Sequence, residues 1–135
     1  MQSAEIVIVD TSVWVEVLRD VEKRPALETA LGGQEVVLTR FTQLELLQGS
    51  RDEREWQLLA EHLEAQEYLE LTPATWAAAA RIYFDLRRDG KTVRSPIDCC
   101  IAQLAIEHDV ELLHCDRDFQ IIATARNLRQ RWIAF

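Results

Sequence analysis

Ile6-Val7-Ile8-Val9-Asp10-Thr11-Ser12-Val13-Trp14 is the stretch that decides the fold class. Its first four residues are all β-branched and apolar without alternation, which fits a strand covered on both faces. Asp10 ends the run, and from Ser12 onward Val13, Trp14, Val17 and Leu18 fall at helical spacing. A buried strand leading into a helix is the opening unit of a parallel α/β sheet. Residues 36–38, 68–71, 111–114 and 131–135 read as further strands, the last at an edge. Residues 25–31, 51–65 and 119–126 read as helices, with another carrying Phe41, Leu44, Leu47 and Gln48. Thr72-Pro73 and Ser95-Pro96 pair a capping residue with a first-turn proline, so each predicts a helix start. The first of these helices runs to Asp89, with Gly90 as its stop, and the second runs to His108. The expectation is a mainly parallel sheet of about five strands. No repeat or composition break divides residues 1–135, which read as one domain.

A chain of 135 residues buries about 68% of its unfolded surface and needs no metal or disulfide to hold a core. Four glycines and three prolines are too few for a linker-rich chain. Asp and Glu number 23 against 15 Lys and Arg, a formal charge of −8. That balance argues against non-specific coating of nucleic acid, which rests on basic surface. It leaves room for an enzyme that meets nucleic acid through a local basic patch beside a metal-filled acidic site. Arg81, Arg87, Arg88, Lys91 and Arg94 form such a stretch, either a solvated face or a track for phosphates, with Arg94 the foremost candidate. No apolar run reaches the ~20 residues of a membrane span. Residues 1–5 are polar and 6–9 too short for a signal peptide, so the three cysteines read as reduced thiols of a cytoplasmic protein. Cys99-Cys100 and His114-Cys115 lack zinc spacing. The first pair reads as helix packing, His108 as a residue of an apolar helix face, and the four tryptophans as core or interface anchors.

Ligands of parallel α/β folds bind beyond the carboxyl ends of the strands. Asp10 ends the first strand, Asp116 follows the fourth, Glu45 lies early in the helix after the second, and Asp98 lies in the first turn after Ser95-Pro96. Four carboxylates from separate segments can thus gather at one edge. The helix over 72–89 carries the chain about 24 Å from that edge at 1.5 Å per residue. Residues 90–95 span at most about 20 Å, so the return requires that helix to tilt or end early. Two unit charges 4 Å apart repel by ~4 kcal/mol at an effective dielectric of 20, so such a cluster needs protons or a cation. Mg²⁺ and Mn²⁺ prefer carboxylate and water oxygens, and held there they support hydrolysis of a phosphodiester.

Each acid also has a plain structural reading. Ser95-Pro96-Ile97-Asp98 fits a capping box, Asp10 fits a cap with Thr11 or Ser12, Glu45 fits a solvated helix face, and Asp116 and Asp118 fit turn or cap positions. A haloacid-dehalogenase phosphatase also begins with a strand and an Asp, but it needs a second Asp two positions on, where Ser12 stands.

Four segments occur in order: Val9-Asp10-Thr11-Ser12-Val13-Trp14, Glu45-Leu46-Leu47-Gln48-Gly49, Arg94-Ser95-Pro96-Ile97-Asp98-Cys99-Cys100-Ile101-Ala102 and His114-Cys115-Asp116-Arg117-Asp118-Phe119. Together they resemble the PIN-domain ribonucleases of the VapC toxin type, over nearly the whole chain. The resemblance implies a three-layer α/β/α sandwich and Mg²⁺- or Mn²⁺-dependent endonuclease cleavage of RNA. It implies a cognate antitoxin, whose tail enters the acidic groove, and a homodimer. Matched residue by residue, Asp10, Glu45, Asp98 and Asp116 are the acidic quartet. Asp10, Asp98 and Asp116 are the expected metal ligands, and Glu45 orients water. Thr11 or Ser12 is the supporting hydroxyl, and Asp118 is a further acid. Arg94 and Lys91 are the expected RNA contacts. The rival expectations are a PIN-domain nuclease that processes ribosomal RNA outside any toxin–antitoxin pair, and a non-catalytic module that binds RNA or a partner.

Overall fold

The computed structural model describes residues 5–135, so all but the last of the polar N-terminal residues lie outside the described residues. The elements run β1 (Ile6–Val9), α1 (Thr11–Arg19), a 3₁₀ turn (Val21–Lys23), α2 (Arg24–Leu31), β2 (Glu35–Thr39), α3 (Arg40–Gln48) and α4 (Glu53–Glu64). They continue with β3 (Tyr68–Leu69), α5 (Pro73–Arg88), α6 (Pro96–His108), β4 (Glu111–His114), α7 (Arg117–Ile122) and β5 (Gln130–Trp132). Among the described residues the strands form one sheet in the order β3-β2-β1-β4-β5. Every pairing is parallel.

The apolar run of β1 takes the central place, and successive side chains feed opposite layers. Ile8 joins Leu112 of β4 under Ile82 and Leu86 of α5 and Ile101 and Leu104 of α6. Val7, Val9 and Leu113 point the other way, against Val13 and Val17 of α1 and Leu27 of α2. This is the expected three-layer sandwich. From β1 the chain builds outward through β2 to β3, then returns to place β4 on the other side of β1. The order therefore reverses between β1 and β4, and the crevice at their carboxyl ends is the topological switch point.

Several sequence expectations change. The helix before Asp98 does not carry the chain away from the site. Thr75, near the start of α5, donates to Glu107 near the end of α6 (Oγ1 to Oε2, 2.9 Å), so the two helices are antiparallel and α5 ends where α6 begins. Gly90, at φ 74°, turns the chain there, with Lys91 N–H on the Leu86 carbonyl at 2.8 Å. The long return is unnecessary. The helix expected over 119–126 starts at Arg117, because Asp116 caps it, and ends at Ile122. The strands expected over 68–71 and 131–135 are shorter edge strands. Trp56, Trp76 and Trp132 are exposed instead of anchoring the core. His108 is also exposed. Cys99 and Cys100 do pack in the core.

Phe119 of α7 is fully buried and packs against His114, ring centroids 5.0 Å apart. Phe119→Ala is expected to cost about 3–5 kcal/mol, the range for emptying a buried aromatic site. Equilibrium urea unfolding measures this, and an unchanged midpoint would show that the layer does not rest on that ring.

Candidate active site

The crevice between β1 and β4 receives its side chains from helix starts. Asp10 leaves β1 in an extended conformation and caps α1. Its Oδ2 accepts from the Ser12 amide at 3.0 Å and from the Ser12 hydroxyl at 2.6 Å. Ser12 Oγ in turn accepts from the Cys115 amide at 2.9 Å, tying the end of β1 to the end of β4. Asp116 caps α7, its Oδ1 accepting from the Asp118 amide at 2.9 Å. At the start of α6 the Ser95 hydroxyl accepts from the Ile97 amide at 3.2 Å. The Asp98 carboxyl is turned toward Asp116 and Asp118, and the Ser95 cap is made on Ile97 without a capping box.

Asp98, Asp116 and Asp118 each offer an oxygen within 4.8 Å of the others. The tight group thus contains Asp118, which sequence reasoning ranks as an auxiliary acid, and Asp10 stands beside it. Asp10 is near enough to act electrostatically on Asp98 and Asp116. Glu45 lies one step further out and is half-buried. Its Oε1 accepts from the Thr11 hydroxyl at 3.1 Å, and that hydroxyl also lies 2.9 Å from Thr42 Oγ1. Thr11 and Ser12 therefore both serve the site, Thr11 on the Glu45 side and Ser12 on the Asp10 side.

Burial is the largest influence on these acids. It pushes Asp98 up to about 9, aided by the hydrogen bond to Asp118 and by the charges of Asp10, Asp116 and Asp118. Burial also raises Asp10, against the lowering effect of its bonds from Ser12. Glu45 is raised by burial first and by Asp10 second. The amino-terminal ends of α1 and α6 face the same crevice and favour negative charge there. Arg94 supplies the full positive charge. Its Nη2 lies 2.9 Å from Asp116 Oδ1 and its Nε 3.8 Å from Asp118 Oδ1. Its backbone amide donates to Asp118 Oδ2 at 2.9 Å. Lys91 bonds the Thr124 hydroxyl at 2.9 Å.

Two participants escape sequence reasoning. Thr42 supports Thr11, but nothing in its local sequence marks it. His114 is fully buried at the end of β4, where Nδ1 accepts from the Asp116 amide at 3.1 Å and Nε2 pairs with Gln130 Oε1 at 2.6 Å. Burial lowers its pKa, so the ring is neutral with its proton on Nε2, and it orients the Asp116 turn. A polar residue inside a buried strand, directly before an acidic turn, is the signal that could have found it.

Three convergent carboxylates, one of them strained toward protonation, form a hard oxygen donor set. Such a set suits Mg²⁺, Mn²⁺ or a similar divalent ion. The family model of the PIN domain matches residues 7–125. The chain belongs to the PIN-domain family. A PIN-domain relative, Ribonuclease VapC11 of Mycobacterium tuberculosis, is 36% identical over 129 residues, which is 92% of this chain and 96% of that protein. VapBC2 of Rickettsia felis, solved bound to a promoter DNA fragment, shares the fold with a TM-score of 0.74 at 17% identity, over 96% of this chain and 99% of that one. VapBC-5 of M. tuberculosis, a member of the VapBC family of toxin-antitoxin systems, shares it at 0.65 and 23%, over 96% and 98%.

In the metal-free PIN domain, Asp98 keeps its proton from its ordinary 3.8 up to about 9, while the unfolded chain loses it at the lower value. The folded state then binds more protons, so this group makes stability fall as pH rises through that window. Lowering of the His114 pKa has the opposite sign below about 6.5, so the comparison with Asp98→Asn isolates the carboxyl. In thermal melts with chelator, the wild-type Tm is expected to drop relative to Asp98→Asn from mildly acidic to mildly alkaline pH. A constant difference between the two would contradict the assignment.

Proposed function

We propose that this PIN-domain chain is a divalent-metal-dependent endoribonuclease acting as the toxin of a toxin–antitoxin pair. The convergence of the Asp98, Asp116 and Asp118 oxygens within 4.8 Å at the switch point of the sheet carries the reading. The 36% identity to a VapC ribonuclease supports it. Asp98, Asp116 and Asp118 would hold Mg²⁺ or Mn²⁺, with Asp10 beside them. An ion held there would supply activation of water and neutralisation of charge on the phosphate. Glu45, raised by burial and held by Thr11, is suited to accept a proton from the attacking water. Ser12 keeps Asp10 oriented, and His114 keeps the Asp116 turn in place. Lys91, exposed on the connection before α6, would meet the RNA backbone. Attack in line on the phosphate leaves 5′-phosphate and 3′-hydroxyl ends.

Asp10→Asn keeps an oxygen for the α1 cap and removes the charge. Mg²⁺-dependent RNA cleavage by this variant is expected to fall about a hundredfold, the upper size for losing a group that orients a metal site, with the Tm nearly unchanged. Cleavage at the wild-type rate would reject the mechanism, and RNA binding by the wild type without any cleavage would favour a non-catalytic module.

The antitoxin takes a second surface. Trp14, Leu18, Val21, Leu31, Leu59 and Leu63 line an apolar groove of about 400 Å³ between α1, α2 and α4. Leu18 and Val21 are among the most exposed apolar side chains of the described residues. An apolar helix of the antitoxin fits this groove, while the antitoxin's tail reaches the acids. Val21→Glu is expected to abolish rescue of growth arrest by a co-expressed antitoxin from the neighbouring reading frame; undiminished rescue would place the antitoxin elsewhere.

A further inference from the structure

We propose that Arg94 is a built-in counter-cation that closes the carboxylate cluster in the metal-free protein and that a divalent ion must displace it to load the site. The inference rests on the metal-dependent reading above and adds a competitor drawn from the chain itself. The Arg94 side chain is 78% exposed, yet its guanidinium turns inward to Asp116 at 2.9 Å and Asp118 at 3.8 Å, whose side chains are 16% and 3% exposed. These are two of the three carboxylates whose oxygens converge. Asp116 Oδ1 already accepts from the Asp118 amide, so with Arg94 in place both lone pairs of that oxygen are engaged.

Arginine stays charged at every working pH, so it leaves the cluster by moving and not by losing a proton. The movement is local. The Arg94 backbone amide is anchored on Asp118 Oδ2 at 2.9 Å, and Asp118 is itself buried. The main chain therefore stays, while an exposed side chain swings into water and recovers hydration. Lys91, on the same connection, is bonded to Thr124 and does not share the task. Once displaced, the Arg94 guanidinium remains at the rim, where a phosphate group of RNA offers it charged oxygens in place of the carboxylates it left.

Mn²⁺ binding to the full chain without RNA, read by electron paramagnetic resonance of free Mn²⁺, tests the idea on the wild type, Arg94→Gln and Arg94→Lys. Arg94→Gln is expected to bind about tenfold more tightly, the factor that follows if the closed form holds roughly nine-tenths of the molecules. Arg94→Lys keeps the charge without the fork and is expected to fall between. In melts, Arg94→Gln is expected to lie below the wild type in chelator and to match it at saturating Mn²⁺. Equal or weaker Mn²⁺ binding by Arg94→Gln, or a Tm deficit that persists in Mn²⁺, would overturn the proposal and leave Arg94 as a structural ion pair. Mn²⁺ bound equally by wild type and variant sinks this inference alone, whereas no Mn²⁺ binding by any of the three sinks the metal-dependent reading with it.

Discussion

Repulsion among carboxylates is the constraint around which this chain is arranged. Oxygens of Asp98, Asp116 and Asp118 come within 4.8 Å because the start of α7 after β4 and the start of α6 meet at one crevice. Three devices offset the repulsion in the folded chain. Burial keeps a proton on Asp98. Helix starts at α1 and α6 present their positive ends. Arg94 spans Asp116 and Asp118. The sandwich on either side of the sheet serves this edge, since β1 and β4 are buried in both layers and their carboxyl ends cannot drift apart.

The edge and the apolar groove share one element. Asp10 caps α1, and the same helix carries Trp14, Val17 and Leu18 into the groove. Trp14 also donates its indole N–H to the Val9 carbonyl at 3.2 Å, so a groove residue touches the backbone that aims Asp10. The wall of the groove and the cap of the crevice are thus ends of one short helix.

Much of this was legible in the residues because the fold is built from continuous, strongly patterned segments. The β-branched run of 6–9 places β1 at the centre, and the acid that ends it falls at the switch point. Ser95-Pro96 marks the start of α6 and thereby puts Asp98 in its first turn. What stayed hidden depends on relations between distant segments. The antiparallel pairing of α5 with α6 rests on Thr75 meeting Glu107, a contact across 32 positions with no local signature. Asp118 looks like a helix-start residue, and only the arrival of α6 beside α7 brings it next to Asp98. Arg94 reads as a free basic residue until its backbone amide is found on Asp118. His114 lies hidden because an imidazole in a buried strand is interpretable only once Gln130 of β5 is beside it.

One hydroxyl bridges the crevice. Ser12 Oγ donates to Asp10 and accepts from the Cys115 amide, so a single oxygen links the two segments that carry Asp10 and Asp116. The strand ends themselves are already paired, with the Asp10 amide on the Leu113 carbonyl. An alanine at position 12 would leave them so, yet strip Asp10 of its hydroxyl donor and the Cys115 amide of its acceptor. The aim of one acid is thus tied to the turn that bears another through an atom outside the carboxylate cluster.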